Sequence, residues 1–194
     1  MQMPNLQTDR LVIRPFRADD LDAAFRILDV ELADANTGTD GAQSREQRRA
    51  WLQWSVLNYE QLAYMHQPPL GDRAIELRAS GELIGACGYN PALGPYALLP
   101  GFAAGAGDPR RFTLEIGLYW AISPAHQRQG YASEAARALI DYGFAHLQLA
   151  RIVATTAHDN LASQAVMRKA GMRLERNPHP ESFWFQVVGL IEHP

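Results

Sequence analysis

The chain has a single cysteine in 194 residues, which excludes an intrachain disulfide framework. That residue, Cys87, lies in the strand-like run Leu83-Ile84-Gly85-Ala86-Cys87-Gly88-Tyr89. A small buried side chain is its expected role, and a reactive thiol the alternative. No apolar run approaches the length of a membrane span, and no cationic start followed by an apolar core marks a signal peptide. A cytoplasmic protein with no membrane partner is the expectation. Blocks of lysine or arginine are also missing and the net charge is −3, so direct nucleic-acid binding is not expected. No Gly-Lys-Ser/Thr triplet occurs, which removes the usual nucleotide P-loop. His66, His126, His146, His158, His179 and His193 show no paired ligand spacing, so no metal site is expected.

What is present is enough for one well-buried core. With 47% hydrophobic and 20% charged residues, residues 1–194 are expected to form a single globular domain. Residues 9–16 alternate as a first strand, and residues 18–28 turn to helical spacing with Leu21, Ala24, Phe25 and Leu28 as the inward stripe. Residues 29–41 lose periodicity and carry Asp29, Glu31, Asp34 and Asp40, a solvated acidic loop or an attractor of a cationic amine. A long helix follows over 44–64, with Trp51, Trp54, Val56, Leu57, Leu62 and Tyr64 expected to supply its core contacts. Residues 73–78 and 83–89 read as a hairpin around Gly81. Residues 90–112 mix glycine and proline with Tyr96, Leu98, Leu99 and Phe102, and a connection this long is usually functional or mobile. Its Gly105-Ala106-Gly107 neither follows a strand nor opens a helix, so it is no dinucleotide fingerprint.

The organising stretch runs over 113–171. In residues 113–122, Leu114, Ile116, Leu118, Trp120 and Ile122 share one side of a two-residue period, and Glu115, Gly117, Tyr119 and Ala121 share the other. Ser123-Pro124 ends the strand. The turn Gln127-Arg128-Gln129-Gly130-Tyr131-Ala132 then leads into a helix over 131–148. A helix start offers unpaired NH groups and a positive dipole end, which suits a pyrophosphate. Gly130 lets the backbone approach an anion, Ala132 keeps the first turn free of bulk, and Glu134 has to face away from it. Residues 150–156 form another strand, and 160–170 a helix with Asn160 at its N-cap and Gly171 past its end. Short strands over 172–175 and 183–191 close the chain, with a loop at His179-Pro180.

In order and in residues the chain resembles the GNAT family of N-acetyltransferases, within it the branch that acetylates ribosomal-protein N-termini. The resemblance rests on Thr8-Asp9-Arg10-Leu11-Val12-Ile13-Arg14-Pro15, Glu115-Ile116-Gly117-Leu118-Tyr119-Trp120, the turn Gln127 to Ala132 with Ser133-Glu134-Ala135, and Asn160-Leu161-Ala162-Ser163 through Arg168-Lys169-Ala170-Gly171-Met172. It implies an α/β fold of the α+β type, a mixed central sheet of about seven strands flanked by about four helices. Acetyl-CoA is the implied cosubstrate, and the implied reaction is direct attack of a primary amine on its thioester.

The acceptor is a protein N-terminal α-amine by resemblance; a small-molecule amine acetyltransferase and a non-catalytic acyl-CoA-binding module are the alternatives. Glu115 is the candidate base, a structural carboxylate paired with an arginine its other reading. Ser163 is the candidate proton donor to sulfur, with Tyr119 the second choice and Asn160 holding the pantetheine arm. Trp120, Ala121 and Ile122 would pair with the pantetheine amides, Gln127, Arg128, Gln129, Gly130, Tyr131 and Ala132 would hold the diphosphate mainly through backbone donors, and an NH near Leu118 or Tyr119 would polarise the thioester carbonyl. The family pattern has a shorter turn in place of residues 90–112. That insertion would cover the substrate mouth or make a subunit contact, as in a homodimer.

Overall fold

The computed structural model describes residues 2–35, 41–102, 108, 111–178 and 183–193. Asp40, Gly105-Ala106-Gly107 and the His179-Pro180 loop lie outside the described residues. Among those described, the chain forms eight strands and four α-helices, in order β1 (Leu6–Gln7), β2 (Leu11–Pro15), α1 (Leu21–Phe25), α2 (Arg45–Tyr64), β3 (Gly71–Leu77), β4 (Leu83–Gly94), β5 (Thr113–Ile122), α3 (Tyr131–Ala145), β6 (Arg151–Thr156), α4 (Leu161–Lys169), β7 (Arg173–Arg176) and β8 (Val187–Glu192). The strands make one open mixed sheet, ordered β1-β2-β3-β4-β5-β6-β8-β7. The strand beyond the expected seven is β1, whose two residues pair antiparallel with β2 and are too few to carry a period. The chain divides into two compact units, residues 1–89 with 119–139 and residues 90–118 with 140–194.

In the first unit, β2 sends Leu11 and Ile13 to the interior, both 0% exposed. Its opposite side carries Phe16 and a buried Arg14, whose guanidinium binds Asp20 through two contacts of 2.8 Å and Glu76 at 2.7 Å. Those bonds, the one to Asp20 foremost, raise Arg14 above its ordinary value against the opposing effect of burial. After α1 the helix widens into a π turn over Arg26–Glu31. Here the acidic segment departs from the solvated loop expected of it. Asp29 is buried and accepts from Arg48 Nε and Nη2 of α2 at 2.7 and 2.8 Å and from Gln43 N at 2.8 Å. Glu31 accepts from Arg26 and from the Ser123 hydroxyl; of the described acidic residues in the segment, only Asp34 is exposed.

Helix α2 begins as anticipated, Ser44 Oγ accepting from Gln47 N at 3.2 Å while Gln47 Oε1 accepts from Ser44 N at 2.8 Å, a reciprocal cap. Its inward face corrects the apolar reading: Arg48, Leu52 and Ser55 are buried, whereas Trp54, Leu57 and Tyr64 are 56%, 66% and 81% exposed. Arg48 can face inward because Asp29 meets its guanidinium, which periodicity of apolar residues cannot register. Trp51 packs edge-on against Phe16 at 5.1 Å and donates to Asp72 at 3.1 Å, and the Tyr59 hydroxyl donates to the Asp72 carbonyl while accepting from Phe16 N. Beneath these contacts lie Phe16, Ala24, Ile27, Leu32, Leu52, Ala74, Leu83 and Ala86.

The second unit is built around the segment that departs from the family pattern. Residues 90–94 lengthen β4, and two 3₁₀ turns, Tyr96–Leu98 and Pro100–Phe102, bury Tyr96, Leu99 and Phe102 against Val153, Phe185, Val188 and Leu190. In its described part the insertion supplies core residues. Tyr96 stands 4.9 Å from Phe102 and 5.1 Å from Phe185 between ring centres. The last strand is also shorter than its apolar run suggested, with Phe183–Phe185 a 3₁₀ turn and β8 starting at Val187. Successive side chains of a strand point to opposite faces, yet Trp184 and Phe185 both pack on this same cluster, which a tight turn permits.

Asp72 supplies a stability test. Burial pushes its carboxyl up to about 6, opposed by the Trp51 hydrogen bond and by Arg48. Between about pH 4 and pH 6 the native state therefore binds a proton that the unfolded chain does not, so this group's contribution to stability falls as pH rises through that window and is level above it. Asp72→Asn, which keeps an acceptor for Trp51, is expected to stabilise the fold by about 1–2 kcal/mol at pH 7 and by almost nothing at pH 4, read from urea unfolding at both values.

Candidate functional site

In the first unit the end of β5 leads through Ser123 and the 3₁₀ turn Pro124–His126 into the segment that opens α3. Arg128 and Gly130 both have positive φ, 60° and 87°, so the backbone reverses twice before the helix starts; glycine takes this conformation without cost and a branched residue does not. Two side chains are spent on folding the turn. Gln127 Nε2 donates to the Ile122 carbonyl at 2.9 Å and Gln129 Nε2 to the Ala125 carbonyl at 3.1 Å. The NH groups of Arg128, Gln129 and Gly130 make no hydrogen bond among the described residues, and the turn is exposed over 127–129. A run of unpaired NH donors at a helix start can receive an anion such as a diphosphate.

Glu134, in the first turn of α3, is turned away from such an anion by three donors. Thr8 Oγ1 and Arg10 N donate to its Oε1 at 2.6 and 3.0 Å, and Arg10 Nε donates to Oε2 at 2.7 Å. Just before the turn, Trp120 and Ala121 are half-buried and Ile122 is buried. A Cβ at Gly85 would lie 2.2 Å from the Ala121 carbonyl oxygen, so that carbonyl faces β4 and the carbonyls on either side of it face the opposite edge. Of those two, Ile122 already accepts from Gln127. The Tyr119 hydroxyl is buried without a hydrogen-bond partner among the described residues.

The second unit holds the other candidates. Pairing of β5 with the parallel β6 is limited to Gly117 opposite Val153, and a Cβ at Gly117 would come within 2.5 Å of Asn90 Oδ1. At the start of β5 the faces are the reverse of those expected: Leu114 is 62% exposed and Glu115 is 7% exposed. The reason is Arg151. Its Nε and Nη2 donate to Glu115 Oε2 and Oε1 at 2.7 and 2.6 Å, and its guanidinium lies 4.7 Å over the Phe102 ring. The hydrogen bond to Glu115, ahead of the opposing burial, raises Arg151 above its ordinary value. A carboxylate buried in this way needs a cation, and the apolar neighbours Leu114 and Ile116 were the signal that one had to be near.

At the head of α4, Asn160 Oδ1 accepts from Ser163 N at 3.0 Å. The cap leaves the Asn160 amide nitrogen and the Ser163 hydroxyl without hydrogen bonds among the described residues. His158 is half-buried rather than exposed, with a buried Nδ1 that has no partner there either. No group of three histidine, cysteine or acidic side chains among the described residues could hold a metal, and no described helix is long and apolar enough to cross a membrane. Cys87 is fully buried, and burial pushes its thiol well above the ordinary value.

A model of the acetyltransferase (GNAT) domain matches residues 10–173. Over 63 residues, 32% of this chain and 36% of the relative, the sequence is 51% identical to the uncharacterized N-acetyltransferase YnaD of Bacillus subtilis (strain 168). Over 173 residues, 89% of this chain and 84% of the relative, it is 33% identical to the uncharacterized N-acetyltransferase YoaA of the same organism. Among solved structures, the fold is similar to RimL, a ribosomal L7/L12 α-N-protein acetyltransferase in complex with coenzyme A, with a TM-score of 0.65, 17% identity and 96% of each chain covered.

The pair at the start of β5 is open to direct measurement. Arg151→Ala leaves Glu115 without its cation and is expected to cost about 2 kcal/mol, less than a fully enclosed pair would because the guanidinium is partly exposed. A urea midpoint equal to the parent's would mean that the two groups are not coupled.

Proposed function

Since the chain belongs to the GNAT acetyltransferase family and is an acetyl-CoA-dependent N-acetyltransferase, we propose that its acceptor is a protein N-terminal α-amine, acetylated by direct attack on the thioester. The observation that carries the cosubstrate half is the turn at residues 127–132, exposed over 127–129, with its two positive-φ residues and unpaired NH groups. The acceptor half is supported by likeness to the ribosomal-protein branch, and the RimL fold that resembles this chain over 96% of its length acts on such an amine.

In this reading the diphosphate of acetyl-CoA rests on the backbone NH groups around Gly130, with Gln127, Arg128, Gln129, Tyr131 and Ala132 shaping the turn. The pantetheine amides pair with the strand edge at Trp120 and the Ile122 NH, the Ala121 carbonyl being turned to β4 and the Ile122 carbonyl already accepting from Gln127. The neutral amine attacks the thioester carbonyl, whose oxygen is polarised by a main-chain NH near Leu118 or Tyr119. As the C–N bond forms and the C–S bond breaks, a hydroxyl protonates the departing thiolate; the candidates, each taken within its own unit, are Ser163 and the unpartnered Tyr119 hydroxyl. The proton lost by the amine goes to water or to a carboxylate. Glu115 would have to give up a bond to Arg151 to take it, since both of its oxygens already accept from the guanidinium. That pairing supports a structural task for Glu115.

The reading is tested with a panel of acceptors and acetyl-CoA, thiol release being followed. Peptides with free N-termini should turn over faster than amino acids, polyamines or drug amines. Preference for a small amine would move the acceptor class, and uptake of acetyl-CoA with no turnover on any amine would make the protein a binding module. Gly130→Val forces a branched residue into positive φ and is expected to weaken acetyl-CoA at least 10-fold by calorimetry, equivalent to about 1.4 kcal/mol. Unchanged affinity would remove the turn from the site. Glu115→Gln should leave the rate per folded molecule within a few-fold of the parent, whereas a loss of about 100-fold would return the base role to Glu115.

A further inference from the structure

Arg10 reaches across from the start of β2 and touches four parts of the turn and helix that follow β5. Its Nη1 donates to the Gln129 carbonyl at 2.9 Å, its Nε to Glu134 Oε2 at 2.7 Å and its backbone NH to Glu134 Oε1 at 3.0 Å. Its guanidinium lies 4.5 Å over the Tyr131 ring, and a Cβ at Gly130 would meet its Nη2 at 3.3 Å. One side chain therefore holds the carbonyl side of the Gln129–Gly130 peptide, the open face of Gly130, the ring of Tyr131 and the carboxylate of Glu134.

Two physical consequences follow for an anion at the turn. A trans peptide is planar, with its carbonyl and its NH pointing in opposite directions; drawing the Gln129 oxygen towards Arg10 aims the Gly130 NH the other way, outward. The second consequence is electrostatic. Glu134 suits the helix dipole, but a bare carboxylate in the first turn of α3 would repel a diphosphate. Burial pushes this carboxyl up, yet the hydrogen bonds from Thr8 and Arg10 outweigh it and hold the group below its ordinary value. Glu134 thus stays ionised at neutral pH, and its charge is cancelled by Arg10, 2.6 Å away at the closest.

We propose that Arg10 is a positioning residue for the diphosphate of acetyl-CoA, orienting the turn's NH donors through Gln129 and neutralising Glu134, without itself touching the reacting atoms. The proposal rests on the assignment of the turn to the diphosphate.

The experiment compares two acetyl donors, acetyl-CoA and S-acetylpantetheine, which keeps the thioester and lacks the diphosphate. Arg10→Gln is expected to raise KM for acetyl-CoA about 10-fold with kcat little changed and KM for S-acetylpantetheine unaltered. Adding Glu134→Gln to that variant should recover part of the loss, because the uncompensated carboxylate is then gone. Arg10→Lys, the milder change if Arg10→Gln does not fold, keeps the charge and loses the fork, so it should fall between parent and Arg10→Gln on acetyl-CoA alone. Equal losses with both donors would reduce Arg10 to a general structural role and overturn the proposal. Parent-like KM in every Arg10 variant would overturn it too, while leaving the turn assignment intact if Gly130→Val still weakens acetyl-CoA. A parent protein that takes up no acetyl-CoA would end both.

Discussion

A carboxylate removed from water is met by a cation at short range or titrates higher, as Asp72 does, and the first of these places four of the chain's arginines. Arg14 binds Asp20 and Glu76, Arg48 binds Asp29, Arg151 binds Glu115, and Arg10 binds Glu134. Each pair joins residues from different elements: Arg48 ties α2 to the turn after α1, and Arg151 ties the start of β6 to the start of β5. Burial of an ion pair adds little net stability compared with a well-packed apolar pair, but an unmatched member is strongly unfavourable. Such pairs therefore act chiefly by excluding wrong arrangements. A slip of β5 by one residue against β6, for example, would turn Glu115 to the other face and away from Arg151.

The same requirement shapes the candidate site. A helix start that receives an anion cannot also display a free carboxylate, and Glu134 is acceptable there because Thr8 and Arg10 hold it. Gln127 and Gln129 of the turn are committed to backbone carbonyls, and positive φ at Arg128 and Gly130 sets the course of its main chain. At the head of α4 a similar economy operates. The Asn160 oxygen caps the helix and fixes Ser163, while the amide nitrogen and the Ser163 hydroxyl make no hydrogen bond among the described residues.

Much of the architecture was legible in the residues. The alternation in 113–122, the Ser44 and Asn160 caps, the turn at Gly130 and the helix stop at Gly171 are local features, and each is found with its boundary within a few residues. The failures share a cause. Trp54, Leu57 and Tyr64 were assigned to the core of the long helix because they are large and apolar, whereas Arg48 and Ser55 face inward. Asp29 was assigned to solvent because it is charged, whereas Arg48 covers it. In both cases the deciding partner lies on another segment, and side-chain chemistry read one segment at a time cannot reveal it. In residues 90–112 the glycine and proline content gave no sign of a core, whereas Tyr96, Leu99 and Phe102 are buried with Phe185 and Val188.

The sequence by itself determined the family, the acetyl donor and the glycine-centred turn that opens α3, because those depend on short motifs whose backbone conformation is set by neighbours in the chain. Tertiary structure alone decided that Glu115 is bound by Arg151 and that Arg10 stands over the turn. Both arginines are distant in sequence from the carboxylates they neutralise, and charge compensation is a matter of ångströms, which only the folded chain brings about.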